Sequence, residues 1–96
     1  MTFEEFQKST LQSLPPSDLE SLLLALWEDA RDNWDRAHEI AQEISNWKGS
    51  WVHAYLHRKE GDLGNASYWY SRAGKARSHL SLEEEWEEIA RALLAK

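Results

Sequence analysis

The chain contains no cysteine, one valine, three isoleucines, two threonines, two prolines and four glycines among its 96 residues. Without cysteine there is no disulfide and no thiolate metal site, and nothing indicates an oxidising compartment. Scarce β-branched residues, with no segment alternating at period two, argue against strands. No apolar run approaches the ~18–20 residues that cross a bilayer. Glu4 and Glu5 stand where a signal peptide is basic, so a cytoplasmic protein with no membrane contact is expected. With 42% hydrophobic and 29% charged residues, the composition fits one small soluble domain over 1–96 with a modest core.

Positive charge is also short. The net charge is −6, which opposes general binding to nucleic acid or to an anionic membrane. The deficit is uneven. Between Lys48 and His79 there are six basic and two acidic residues; the remainder holds five basic and fifteen acidic. All three Tyr and three of the four His fall in the basic stretch. Two readings follow: a local anionic partner, or contact between the domain's own halves.

What is present reads as helix throughout. Thr2 with Glu5 forms a capping-box pattern before a terminal helix over 2–14, which Pro15 and Pro16 stop. Ser17 with Glu20 repeats that pattern ahead of Leu19, Leu22, Leu23, Leu26 and Ala30 at helical spacing. Asp32 is the expected cap of a third helix with Ala37, Ile40, Ala41 and Ile44 on one face. Residues 45–50 read as a loop, a helix follows over 50–60, Gly61 is its C-cap and Gly64 marks the turn. Residues 65–73 form the next helix, ending at Gly74. Ser81 with Glu84 caps a terminal helix over 81–95 with Leu82, Trp86, Ile89 and Leu93 on one stripe. The glutamates Glu83, Glu84, Glu85, Glu87 and Glu88 read as a solvated face of that helix. The expected class is all-α, with stacked antiparallel helix hairpins over about 17–45 and 50–74.

The two hairpins are related by an offset of 29. Ala25 falls on Ala54, Ala37 on Ala66, Ala41 on Tyr70 and Ile44 on Ala73. The turn Arg31-Asp32-Asn33-Trp34 falls on Glu60-Gly61-Asp62-Leu63.

The segment SWVHAYLHRKEGDLGNASYWYSRAG, residues 50–74, resembles a tetratricopeptide repeat through Ala54, Gly61-Asp62, Ala66, Tyr70 and Ala73. The copy at 22–44 is degenerate, with Asp32 in the glycine's place, and the 29-residue period is shorter than the family's ~34. Together with WDRAHEIAQEI, the segment also resembles a group of short proteins sharing this His- and aromatic-rich signature. The repeat resemblance covers about half the chain. It implies two degenerate repeats with terminal capping helices. It also implies that the first helix of a hairpin lines a peptide-binding groove.

Three constellations carry possible chemistry. His53 and His57 lie one turn apart on one helix, and Glu60 returns to the same face. The stacked-hairpin arrangement sets His38 against that face. Such imidazoles can bind a divalent metal or relay a proton; they can equally be buried polar groups hydrogen-bonded to Glu60, Glu39 or backbone. The opposite face carries Trp51, Tyr55 and Arg58, with Lys59 beside them. The repeat resemblance implies that this aromatic and basic stripe faces an extended peptide bearing a carboxylate, which Arg58 would pair. The competing reading makes Trp51 core and Arg58 a solvated surface residue. The third group is Trp69 and Arg72 beside Tyr70, with Tyr70 expected in the core and Trp69 exposed. Trp47, in its loop, is the best candidate for an exposed tryptophan.

No serine stands in an activating context and no phosphate-binding loop exists, so binding is expected ahead of catalysis, with no resident cofactor. The leading expectation is a protein-interaction module, monomer or weak homodimer, that takes a peptide or anionic partner in the aromatic and basic groove. The alternative is a small-molecule or metal-binding protein, an enzyme included, that uses His38, His53 and His57.

Overall fold

The computed structural model describes residues 1–95. Six helices occur in the order α1 (Phe3–Ser9), α2 (Ser21–Ala30), α3 (Trp34–Gln42), α4 (Trp47–Glu60), α5 (Leu63–Ala73) and α6 (Leu82–Leu94). No strand occurs among the described residues, and no helix there is long and apolar enough to cross a membrane.

Helix α4 is the axis. It packs on α2, α3, α5 and α6, and every residue from 49 to 57 is buried. A helix covered all round has no solvent face on which to put polar residues. Its Ser50, His53 and His57 are therefore inside, beside Trp51, Val52, Ala54, Tyr55 and Leu56. The close packing begins at Gly49, where a Cβ would collide with the Ile44 carbonyl. Only glycine lets α4 start that close to the end of α3.

Helix α2 packs on α3 and α4 on α5, and the two connecting turns match bond for bond. Asn33 N–H donates to the Glu28 carbonyl, as Asp62 N–H does to that of His57, both at 2.9 Å. Asp32 N–H donates to the Asp29 carbonyl, as Gly61 N–H does to that of Arg58. These are the paired bonds of a helix end with one left-handed residue. Gly61 takes φ +89° at that position and Asp32 takes φ +63°. Aspartate is among the few residues that tolerate this region, so the turn survives without its glycine.

Several helix ends differ from the sequence expectation. Helix α1 keeps its Thr2–Glu5 capping box but ends at Ser9 rather than near Leu14. Ser17 does not cap α2. Asp18 turns to φ +64°, and the Glu20 side chain accepts the Leu22 N–H instead. Asn33, not Asp32, is the cap position of α3. The expected loop over 45–50 is mostly helix, because the Asn46 side chain accepts the Gly49 N–H and starts α4 at Trp47. Gly64 lies in the first turn of α5, which Asp62 caps through the Asn65 N–H. The Ser81–Glu84 box of α6 is present as expected.

Candidate functional site

His53 and His57 project from α4 toward the space between α3 and α5, and His38 reaches them from α3. The ring centroids form a nearly equilateral triangle: 4.6 Å from His38 to His53, 4.8 Å from His53 to His57 and 5.1 Å from His38 to His57. One ring nitrogen from each lies within 4.8 Å of the other two. Tryptophans close the two ends. Trp34 of α3 stacks on His38 at 4.9 Å, and its indole N–H donates to the Leu56 carbonyl. Trp69 of α5 stacks on His53 at 3.9 Å. Trp69 is thus half-buried against the histidines rather than exposed.

Only His57 has its nitrogens engaged. Nδ1 is 2.6 Å from Glu60 Oε1, and Nε2 is 3.3 Å from Asn65 Nδ2. A carboxylate can only accept, so Nδ1 carries a proton; in the neutral ring the lone pair then lies on Nε2, where the Asn65 amide can donate to it. The ring nitrogens of His38 and His53 make no hydrogen bond among the described residues. No side-chain nitrogen or oxygen there is both sealed from solvent and unpartnered, so these nitrogens touch solvent at the site's mouth. The rings as a whole are covered: His53 is 5% and His57 6% exposed.

The surroundings favour neutral imidazole. Burial, then the neighbouring His38 and His57, hold the His53 pKa down to about 4. Burial and His57 also lower that of His38, against a smaller opposite pull from Glu60 and Asp35. Neutral imidazole is the form that donates a lone pair to a metal. Rings this close leave no room for an organic molecule between them. Asp62 forms a second close trio with His57 and Glu60, and its two carboxylates are exposed.

The opposite face of α4 is largely covered, and what opens beside it is a cavity of about 580 Å³ lined in part by Asp29, Tyr55, Lys59 and Trp86. Trp51 and Tyr55, expected to face a peptide, are 4% and 2% exposed and belong to the core. Arg58 and Lys59 are spent on buried carboxylates. Arg58 Nη1 is 2.8 Å from Glu85 Oε1, and its other terminal nitrogen donates to the Leu80 carbonyl. Lys59 Nζ is 2.9 Å from Asp29 Oδ1. These pairs tie the basic stretch to the acidic parts of the chain, as the second charge reading has it. The physical reason for the correction is coverage: α2 and α6 pack on the side that the repeat pattern would leave open.

Glu85 is the main correction on α6. It is fully buried, not part of a solvated glutamate face. Its carboxylate accepts from Trp51 Nε1 at 3.2 Å, from Arg58, and from the Tyr70 hydroxyl at 2.6 Å. Asp29, 1% exposed, likewise accepts from the Tyr55 hydroxyl at 3.0 Å. Burial and these carboxylates push both tyrosines above the ordinary tyrosine range. The signal for both acids was available: Glu85 sits between Leu82 and Ile89 on the α6 stripe, and Asp29 extends Leu22 and Leu26 on α2. Asn65 carried no such signal. Of the other candidates, Tyr70 is in the core, and Arg72 is exposed with its guanidinium over the Tyr68 and Trp69 rings. Trp47 is 49% exposed, but in the first turn of α4 rather than in a loop.

No family model, no curated protein and no solved structure matches this chain.

Proposed function

We propose that this protein binds one divalent cation of the Zn²⁺ class through His38, His53 and His57, on a scaffold of two degenerate tetratricopeptide-like hairpins. The observation that carries the reading is the convergence of three imidazole nitrogens, from two helices, within 4.8 Å of one another. Ligands on a tetrahedral ion with bonds of 2.0–2.1 Å stand about 3.3 Å apart, so modest ring rotation closes the site. Glu60 on His57 Nδ1 is the outer carboxylate that commonly orients a metal-binding imidazole and raises its basicity. The hairpin assignment draws support from the matched turns at Asp32 and Gly61 and from the burial of Ala25, Ala37, Ala54 and Ala66. The peptide-groove reading has less support, because Trp51 and Tyr55 are covered and both cations are paired.

The test is titration of chelator-treated protein with Zn²⁺ at neutral pH, followed by calorimetry. One ion per chain is expected, with affinity lost in His53→Ala and reduced about 10–100-fold in Glu60→Gln. Equal Zn²⁺ uptake by wild type and His53→Ala, both folded, would discard the site.

A further inference from the structure

We propose that Asn65 of α5 supplies the oxygen that completes the coordination shell of the ion held by the three histidines. This rests on the metal reading above and adds a third helix to the site. Helices α4 and α5 run antiparallel in a fixed register. His53 meets Trp69 and His57 meets Asn65, each pair of partners being four residues apart on its own helix. The Asn65 backbone is pinned, because its N–H is held by the Asp62 cap at 3.2 Å.

The amide faces the ring nitrogen of His57 that Glu60 leaves available. Glu60 holds the proton on His57 Nδ1, so the lone pair is on Nε2, and Asn65 Nδ2 lies 3.3 Å from it. That is long for an N–H donor bond, whose usual range ends near 3.2 Å. It matches the separation of about 3.3 Å expected between two ligand atoms on one tetrahedral ion. A cation on Nε2 removes the acceptor and repels the amide NH2. Turning the amide over places Oδ1 where Nδ2 stands, since the terminal torsion is roughly two-fold. The result is three neutral nitrogens and one neutral oxygen. That set suits a borderline divalent ion. It is poor in oxygen for Ca²⁺ or Mg²⁺ and lacks the sulfur that selects Cu⁺.

The geometry has a mechanical consequence. His38 comes from α3, His53 and His57 from α4, and Asn65 from α5, so one ion fastens α3 and α5 to the central helix. The residue that does this on α5 is an amide, which costs little when the ion is absent because it returns to donating to His57.

The experiment uses the full chain, stripped of metal, with Co²⁺ as the spectroscopic probe and Zn²⁺ competition for affinity. Wild type should show the intense visible bands of four-coordinate Co²⁺. Asn65→Leu, close in size and without oxygen, should bind at least about tenfold more weakly, with bands weakened or shifted as water replaces the amide. Asn65→Asp keeps an oxygen at the same place and should bind as tightly as wild type or tighter. Far-ultraviolet circular dichroism reports whether each variant is folded. Unchanged affinity and spectrum in Asn65→Leu overturns the role of Asn65 and leaves the three-histidine site standing. Equal weakening by Leu and Asp overturns it too; if the Leu variant fails to fold, Asn65→Asp decides, with weakened binding overturning the role and binding as tight as wild type supporting it. Absence of any Co²⁺ or Zn²⁺ binding by wild type removes the metal reading itself.

Discussion

Helix α4 carries two buried polar clusters on opposite faces, and they follow opposite rules. Toward α2 and α6, every carboxylate oxygen of Asp29 and Glu85 accepts at least one hydrogen bond, from Tyr55, Lys59, Trp51, Arg58 and Tyr70. Toward α3 and α5, three imidazoles share six ring nitrogens, of which only the two of His57 have a partner among the described residues. A buried group whose polar atoms are all hydrogen-bonded is a structural part, because any change in it leaves partners orphaned. A covered group with unused lone pairs at the surface has binding capacity left. The first cluster ties α2 and α6 to α4. The second leaves the ring nitrogens of His38 and His53 without a partner among the described residues, and these are what the proposed ion would use.

Removing Glu85 is the strongest way to break this contrast. Glu85→Ala strips the acceptor from Arg58, Trp51 and Tyr70 at once, and should cost about 3–5 kcal/mol of unfolding free energy. Urea denaturation reads this directly; a loss below about 1 kcal/mol would mean that the carboxylate cluster is not structural.

Acid should act on the other face. His53 is held near 4 in the folded protein by burial and by His38 and His57, with the Arg72 guanidinium beyond Trp69 also nearby. The unfolded chain takes up a proton near 6.5. Metal-free stability contributed by neutral His53 is therefore complete above 6.5, falls as the pH drops from 6.5 toward 4, and levels off below that. After solvent screening the full loss is on the order of 1–3 kcal/mol. Urea midpoints at pH 7, 5.5 and 4 test it against His53→Phe, which should show a flatter profile over that window. Identical slopes in the two proteins would count against the neutral-imidazole description.

The seam between α4 and α5 serves both clusters, through Tyr70 to Glu85 and through Asn65 to His57. Ala54 and Ala66 are buried at 0% and 1% exposure. Leucine at either should cost about 1–3 kcal/mol by overpacking. An unchanged melting temperature in both variants would remove the close contact from the argument.

The smallest effect sharpens the comparison most. His53→Ala should cost about 1–2 kcal/mol in metal-free protein, less than Glu85→Ala, since no hydrogen-bond partner is orphaned. The same substitution should abolish Zn²⁺-dependent stabilisation, measured as the rise in melting temperature on adding the ion. A stability loss equal to that of Glu85→Ala would place the histidines in the structural class.

Local signals determined a good part of this protein. The capping boxes at Thr2 and Ser81 and the left-handed ends at Gly61 and Gly74 were legible because each is closed by contacts within a few residues. The shared face of His53, His57 and Glu60 was legible for the same reason: helical spacing alone sets it. The ends that misled, at Ser17 and Asp32, are places where a pattern had two local solutions and the backbone took a positive φ. Which face of α4 would be closed was decided only in three dimensions. Trp51 and Tyr55 are as compatible with a groove as with a core, until α6 brings Glu85 from 34 residues away and α2 brings Asp29 from 26. Asn65 met His57 through the register of α5 on α4, which no periodicity within either helix specifies. Spacing along one helix orders side chains about its axis; what covers each side depends on which long-range partners satisfy the buried charges.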